Sequence, residues 1–222
     1  MPVATDEIKT LIERVDNEAH VLLHDVSWEF YEAVLDEIGD RRRIFVTFDR
    51  GEMELMAPSF KHDDGKWDIA RMISVMALEL RISIRGTGSA TWRRKDIERG
   101  VEPDECFYIQ NYQRVKRKEE IKLPTDPPPD LILEVDVSRS SLKKQSIYAA
   151  MGVPEFWCYD NGRLSFHCLK GQAYEKSNES LAFPGLKAKI LERFIKMQDT
   201  MDDADAMQAF VQWVRENLKR PS

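Results

Sequence analysis

Apolar residues recur at helical spacing as soon as the chain begins. Ile8, Leu11, Ile12 and Val15 fall at i, i+3, i+4 and i+7 behind Thr5 and Asp6, both capping residue types, which predicts a short amphipathic helix. A second helix follows, capped by Ser27, with Phe30, Tyr31, Val34, Leu35 and Ile38 along one face and Gly39 at its C′ position. The period then changes from 3.6 to 2. Residues 43–48 are rich in β-branched and aromatic side chains, Asp49-Arg50-Gly51 turns the chain, and 52–56 alternates strictly, which predicts a hairpin ended by Pro58. In its second strand Glu52, Glu54 and Met56 share one face and Met53 and Leu55 the other, so two carboxylates point the same way.

From about 61 to 84, Trp67, Ile69, Ala70, Ile73, Met76, Ala77 and Leu80 predict the longest helix of the front half, stopped by Gly86 and Gly88. Strand-like runs occupy 89–94, 105–109 and 131–137, the last two separated by a charged, proline-rich loop at 114–129. Ser140-Ser141 introduces a helix that runs through Ala150 and closes at Gly152. A hairpin follows, with strands at 155–159 and 163–169 around Asp160-Asn161-Gly162, and helices are predicted at 186–197 and 202–219. No internal repeat breaks the pattern. The reading is one mixed α/β (α+β) domain over 1–222, with its core at about 43–170, N-terminal helices in 1–40 and a C-terminal helical extension at 184–222.

Composition narrows the class. A hydrophobic content of 42% over 222 residues is enough for a sizeable core and excludes a disordered or fibrous chain. The balance of 33 basic against 39 acidic residues, a net charge of −6, repels polyanions as a whole, so nucleic-acid contact requires a local basic strip or a metal. Cys106, Cys158 and Cys168 have no C-x-x-C spacing and read as buried thiols in a reducing compartment. With no basic n-region, no h-region and no long apolar span, a soluble, cytoplasmic protein with no membrane contact is expected.

The chemistry concentrates in Asp130-Leu131-Ile132-Leu133-Glu134-Val135-Asp136-Val137. A strand this apolar is central and buried, where a carboxylate is costly unless paired or metal-bound. Period two places Asp130, Glu134 and Asp136 on one face. Glu102-Pro103-Asp104 stands where another strand begins, and Asp104 with Glu134 forms a hard-oxygen donor set that suits Mg²⁺ or Mn²⁺ over zinc. Lys143 and Lys144 follow on the next helix, where a lysine could orient an attacking water and offset charge developing on a phosphate.

At these residues the chain resembles the Uma-type restriction endonuclease family, formerly a domain of unknown function, within the PD-(D/E)XK nuclease superfamily. The matching stretches are VSWEFYEAVLDEIGD (26–40), FDRGEMELMAPSFKH (48–62), ERGVEPDECFYI (98–109), PPDLILEVDVSRSS (128–141), YAAMGVPEFWCYD (148–160) and FPGL (183–186). The resemblance implies a restriction-endonuclease-like core, a mixed central sheet flanked by helices, and Mg²⁺- or Mn²⁺-dependent hydrolysis of phosphodiesters in nucleic acid, DNA by analogy. It implies that Asp104 and Glu134 bind the metal. Asp136 occupies the superfamily's strand-lysine position, and the family's helix lysine, four residues before Tyr148, matches Lys144, with Lys143 as the fallback. The family's Gly-Glu pair matches Gly51-Glu52, making Glu52 a further candidate metal ligand with Glu54 beside it. Asp130 matches the Pro-Pro-Asp element and His62 a family histidine.

Plainer readings stand beside each of these. Glu134 could be one half of a structural ion pair, Asp104 a turn residue, Glu52 and Glu54 an exposed strand face, His62 a helix cap, and Asp130 a strand-orienting cap. The runs Arg41-Arg42-Arg43, Arg93-Arg94-Lys95 and 114–118 either contact phosphates or are solvated, and Trp92 reads as core. The helix face of Phe210 and Val214 either forms a homodimer interface or packs on the chain's own core. Two functional classes follow: a metal-dependent endonuclease using Asp104, Glu134 and Lys144, or a catalytically incomplete nuclease-fold module that binds nucleic acid or a protein partner.

Overall fold

A computed structural model describes residues 5–18, 20–39, 44–57, 60–135 and 140–220. In chain order its elements are α1 (Thr5–Glu18), β1 (His20–Leu23), α2 (Trp28–Ile38), β2 (Phe45–Asp49), β3 (Glu52–Met56), α3 (Phe60–Glu79), β4 (Arg85–Gly86), β5 (Trp92–Arg94), β6 (Arg99–Val101), β7 (Glu105–Tyr108), α4 (Tyr112–Val115), β8 (Leu131–Val135), α5 (Lys144–Met151), β9 (Glu155–Asp160), β10 (Arg163–Lys170), β11 (Ala173–Ser177), α6 (Ala188–Met197) and α7 (Asp203–Asn217). The class is mixed α+β, as the periodicities predict. Two sheets share it: a five-stranded antiparallel one ordered β1-β3-β2-β6-β5, and a six-stranded one ordered β11-β10-β9-β8-β7-β4. In the second, only β8 and β9 run parallel, and α5 supplies the crossover that a parallel pair requires.

The first sheet packs on the N-terminal helices. Ser27 caps α2 by accepting the Phe30 N–H at 3.1 Å, and Gly39 ends it at φ +51° with its N–H on the Leu35 carbonyl. Trp28, Tyr31 and Val34 bury against Phe48, Met53 and Leu55, with the Tyr31 ring stacked 4.9 Å from that of Phe48. Gly100 in β6 lies under the Tyr31 hydroxyl, so close that a Cβ there would overlap it.

Both faces of the second sheet are covered, and this places the chemistry. Leu131, Leu133 and Val135 of β8 face α3, α6 and α7, where Ile69, Ile73, Phe194 and Phe210 pack. Ile132 faces Ile147, Tyr148 and Met151 of α5 instead. By the same alternation Glu134 belongs to the α5 side. At the start of β9 Glu155, fully buried, accepts from Trp157 Nε1 at 2.8 Å, from the Leu181 and Ala182 N–H groups at 3.0 and 2.7 Å, and from Ser180 Oγ at 3.3 Å. It therefore pins the loop that leads into α6.

Several expectations change. Strands β1, β4 and β6 carry too few residues for a period-two signal, and β11 is mostly polar and exposed, so none of the four is predicted from the sequence. Helix α3 ends at Glu79, ahead of Gly86, because the chain turns at Arg81 with φ +55°. Trp67, counted in that helix's apolar stripe, is 64% exposed. Phe210 and Val214 are fully buried in the chain's own core, so their face is not a dimer surface. Trp92 is core, as read. The three thiols are free, Cys106 buried and the other two half-buried. Arg93, Arg94 and Lys95 are engaged by Glu32, Asp96 and Glu29, and Lys118 by Asp126, while 41–43 lie outside the described residues. Among the described residues no helix is long and apolar enough to cross a membrane.

The Tyr31–Gly100 contact predicts that Gly100→Ala destabilises the protein by about 1–3 kcal/mol, because the fully buried, stacked ring has to shift to admit a Cβ. Thermal denaturation measures it, and an unchanged midpoint refutes the packing account.

Candidate active site

Strands β7 and β8 pair antiparallel with Glu105 opposite Leu133, so the start of one meets the end of the other. This register brings Asp104, just ahead of β7, level with Glu134. The Asp104 Oδ2 accepts the Val135 N–H at 2.6 Å, which fixes the aspartate against the strand end. Both side chains are buried.

Helix α5 closes over them. Lys144 is its first residue, not one turn in as the sequence spacing suggested, and its ammonium lies 3.0 and 3.2 Å from the two Glu134 oxygens and 3.2 Å from the Glu102 carbonyl. Tyr148, one turn later on the same helix face, donates its hydroxyl to Glu134 Oε1. Lysine, tyrosine and glutamate are all buried. The neighbouring Lys143 is exposed and stands at the N-cap, so the helix lysine at the carboxylates is Lys144.

The electrostatics follow from burial. Loss of water raises the Glu134 carboxyl, the Lys144 ammonium opposes this, and Asp104 adds to it. Burial alone would lower Lys144, but Glu134, Asp104 and Glu54 together hold it above its ordinary value. Burial and Glu134 raise the Tyr148 phenol well above its usual range, so it remains a donor.

The other candidates separate. Glu52 stands at the exposed end of β3, 3.4 Å from His24 Nδ1, away from the lysine. Glu54 is buried and accepts from His20 Nε2 at 2.8 Å, the Ser141 N–H at 2.6 Å and the Ser140 hydroxyl at 2.5 Å. Asp130 sits at the opposite end of β8, where its oxygens take the Ile109 N–H at 2.7 Å, the Asn111 N–H at 2.9 Å and the Asn111 amide at 2.6 Å, which is a strand-orienting role. Asp136 lies outside the described residues, as does the side chain of His62.

Among the described residues no three His, Cys, Asp or Glu side chains form a ready-made metal cluster. Two carboxylates nevertheless fit Mg²⁺, which is typically held by one or two of them and keeps several waters. Asp104 engages the strand through Oδ2, and Glu134 Oε2 accepts only from Lys144 among the contacts described above. The sequence reading missed Tyr148 and the burial of Glu54. The four-residue spacing from Lys144 was the available signal for the tyrosine, whereas the donors around Glu54 come from remote parts of the chain.

Lys144→Met should destabilise the protein by about 3–5 kcal/mol near neutral pH, since it leaves a buried carboxylate unpaired. The sign with pH follows from Glu134. Its folded pKa, already raised, rises further without the lysine, so stability is lost as pH climbs from the unfolded value of about 4.3 towards the folded one. The deficit relative to wild type should be larger at pH 8 than at pH 5 in denaturant titrations, and a pH-independent deficit contradicts the pairing.

Residues 28–199, well over half of the chain, match a family model, Uma2, described as "Putative restriction endonuclease". A crystal structure described as a "putative nuclease belonging to DUF820" from Anabaena variabilis ATCC 29413 aligns with a TM-score of 0.47 at 17% identity, covering 67% of this chain and 89% of that one. No curated protein matches the sequence. The family match spans the Asp104 and Glu134 strands, Lys144 and the helices that enclose them, and the chain belongs to the Uma2 family.

Proposed function

We propose that this protein is a metal-dependent nuclease that hydrolyses phosphodiester bonds in DNA, with Asp104 and Glu134 holding Mg²⁺ or Mn²⁺ and Lys144 as the catalytic cation. The observation that carries the reading is Lys144: a lysine from the helix reaches the buried carboxylates, its ammonium 3.0 Å from Glu134. Membership of a family described as "Putative restriction endonuclease" supports the reaction class.

A bound divalent ion supplies Lewis-acid polarisation of a phosphoryl oxygen and acidifies a coordinated water. The chain's own groups do the rest. Asp104 and Glu134 are the hard anionic ligands, and Tyr148 holds Glu134 in orientation through its hydroxyl. The Glu102 carbonyl and Glu134 anchor the Lys144 ammonium, leaving a fixed positive charge beside the carboxylates to orient water and to offset negative charge on the reacting phosphate.

A second reading has its own support. Asp104, Glu134 and Lys144 are buried, and Glu134 is already satisfied by Lys144 and Tyr148, which also suits a nuclease-fold module that binds nucleic acid or protein without cutting.

Glu134→Gln keeps the size and one acceptor but removes the charge. It should cut Mg²⁺-dependent cleavage of plasmid and single-stranded DNA by roughly a hundredfold or more and abolish Mn²⁺ binding in calorimetry, with an unchanged circular dichroism spectrum. Cleavage at the wild-type rate overturns the assignment. Wild-type protein that binds neither ion and cuts nothing leaves the binding module.

A further inference from the structure

Helix α5 carries Lys144, and apart from the bonds that Lys144 and Tyr148 themselves make to Glu134 and the Glu102 carbonyl, its placement depends on its surroundings. It is eight residues long, and Lys143 at its N-cap makes no side-chain capping bond. A helix this short is marginal in isolation, so its position comes from what grips it. Ile147, Tyr148 and Met151 bury one face, and hydrophobic contacts of that kind are non-directional. Directional contacts are needed to fix where the lysine at its first position lies.

The first sheet provides two of them. Glu54 in the middle of β3 receives the Ser141 N–H at 2.6 Å and the Ser140 hydroxyl at 2.5 Å, seizing the backbone just before the helix. His20 Nε2 of β1, the strand next to β3, holds the same carboxylate at 2.8 Å. Arg99 of β6 donates from Nη1 to the Ser146 carbonyl at 3.0 Å, within the first turn of the helix, and its Nε is fixed by Asp49 of β2 at 2.9 Å. The arginine and aspartate are each more than four-fifths buried, where a charge-assisted bond is stronger than at the surface.

We infer that Glu54 and Arg99 are positioning residues: they clasp α5 to the first sheet before and after Lys144 and thereby set the lysine against Glu134. The inference rests on the nuclease reading for its consequence and on the hydrogen bonds for its mechanism. Neither residue touches the reacting atoms. A displacement of α5 by about 1 Å would cost up to roughly a hundredfold in turnover, because the ammonium acts only at hydrogen-bonding range.

Full-length Glu54→Gln, Arg99→Met and Ser140→Ala test the clasp. The last removes one hydroxyl and leaves the buried carboxylate in place, so it serves if either of the others fails to fold. Hydrogen exchange across 144–151 should accelerate relative to α3 in each variant, and kcat should fall about tenfold to a hundredfold with KM for DNA and Mn²⁺ affinity held. Unchanged exchange in α5 overturns the clasp, and so does faster exchange with unchanged kcat. Lost Mn²⁺ affinity in Glu54→Gln makes that residue a ligand instead. If the wild type cleaves nothing, the nuclease reading fails while the exchange data still decide whether the sheet holds the helix.

Discussion

A carboxylate facing inward from the middle strand of a covered sheet has to be neutralised, and Glu134 is that carboxylate. Its strand is buried on both faces, so bulk water cannot solvate it, and the counter-charge has to come from the protein or from an ion. Lys144 supplies the counter-charge. The geometry of α5, the crossover between the parallel pair β8 and β9, follows from that requirement: the helix has to begin where its first side chain can reach the end of β8. Tyr148, one turn on, completes the hydrogen bonding, and Asp104 arrives through the antiparallel register of β7.

The two sheets meet at this point. The first buries its apolar face under α1 and α2, while polar groups of its strands turn towards α5. Glu54, Asp49 and Arg99 come from three adjacent strands of that sheet, and all three act, directly or through one another, on the chain between Ser140 and Ser146, around the start of α5. The N-terminal half of the protein is thereby coupled to a pair of charges carried by the C-terminal half. Partial burial strengthens the Glu54 and Arg99–Asp49 bonds and also raises the cost of losing one, while the Arg99 bond to the Ser146 carbonyl lies on the exposed side of the helix.

Much of this was legible in the chain. Amphipathic spacing located α1, α2, α3, α6 and α7, while β-branched and aromatic runs with their turn residues located the two hairpins and a near-continuous apolar run located β8. Three acidic residues on one face of an apolar strand marked the candidate site, and the Uma2-type resemblance selected Asp104, Glu134 and Lys144 from among the charged residues. What did not show were β1, β4 and β6, which are too short to leave a period, and β11, which is mostly polar and exposed. Nor did the divergence of Glu52 and Glu54: alternation put both on one face, yet Glu52 stands at an exposed turn while Glu54 is covered by Ser140 and Ser141, some 86 residues further along.

Local sequence therefore determined the longer elements, because helix and strand periods, caps and turn residues act within a few positions of one another. It also determined that one carboxylate would lie in a buried strand. Only the tertiary structure decided which groups would answer it. Asp104 and Glu134 are brought together by strand register, Lys144 by the crossover helix, and Glu54 and Arg99 by a second sheet, contacts that mostly join residues remote in sequence. A spacing rule cannot encode such contacts, since each depends on where a packed layer comes to rest.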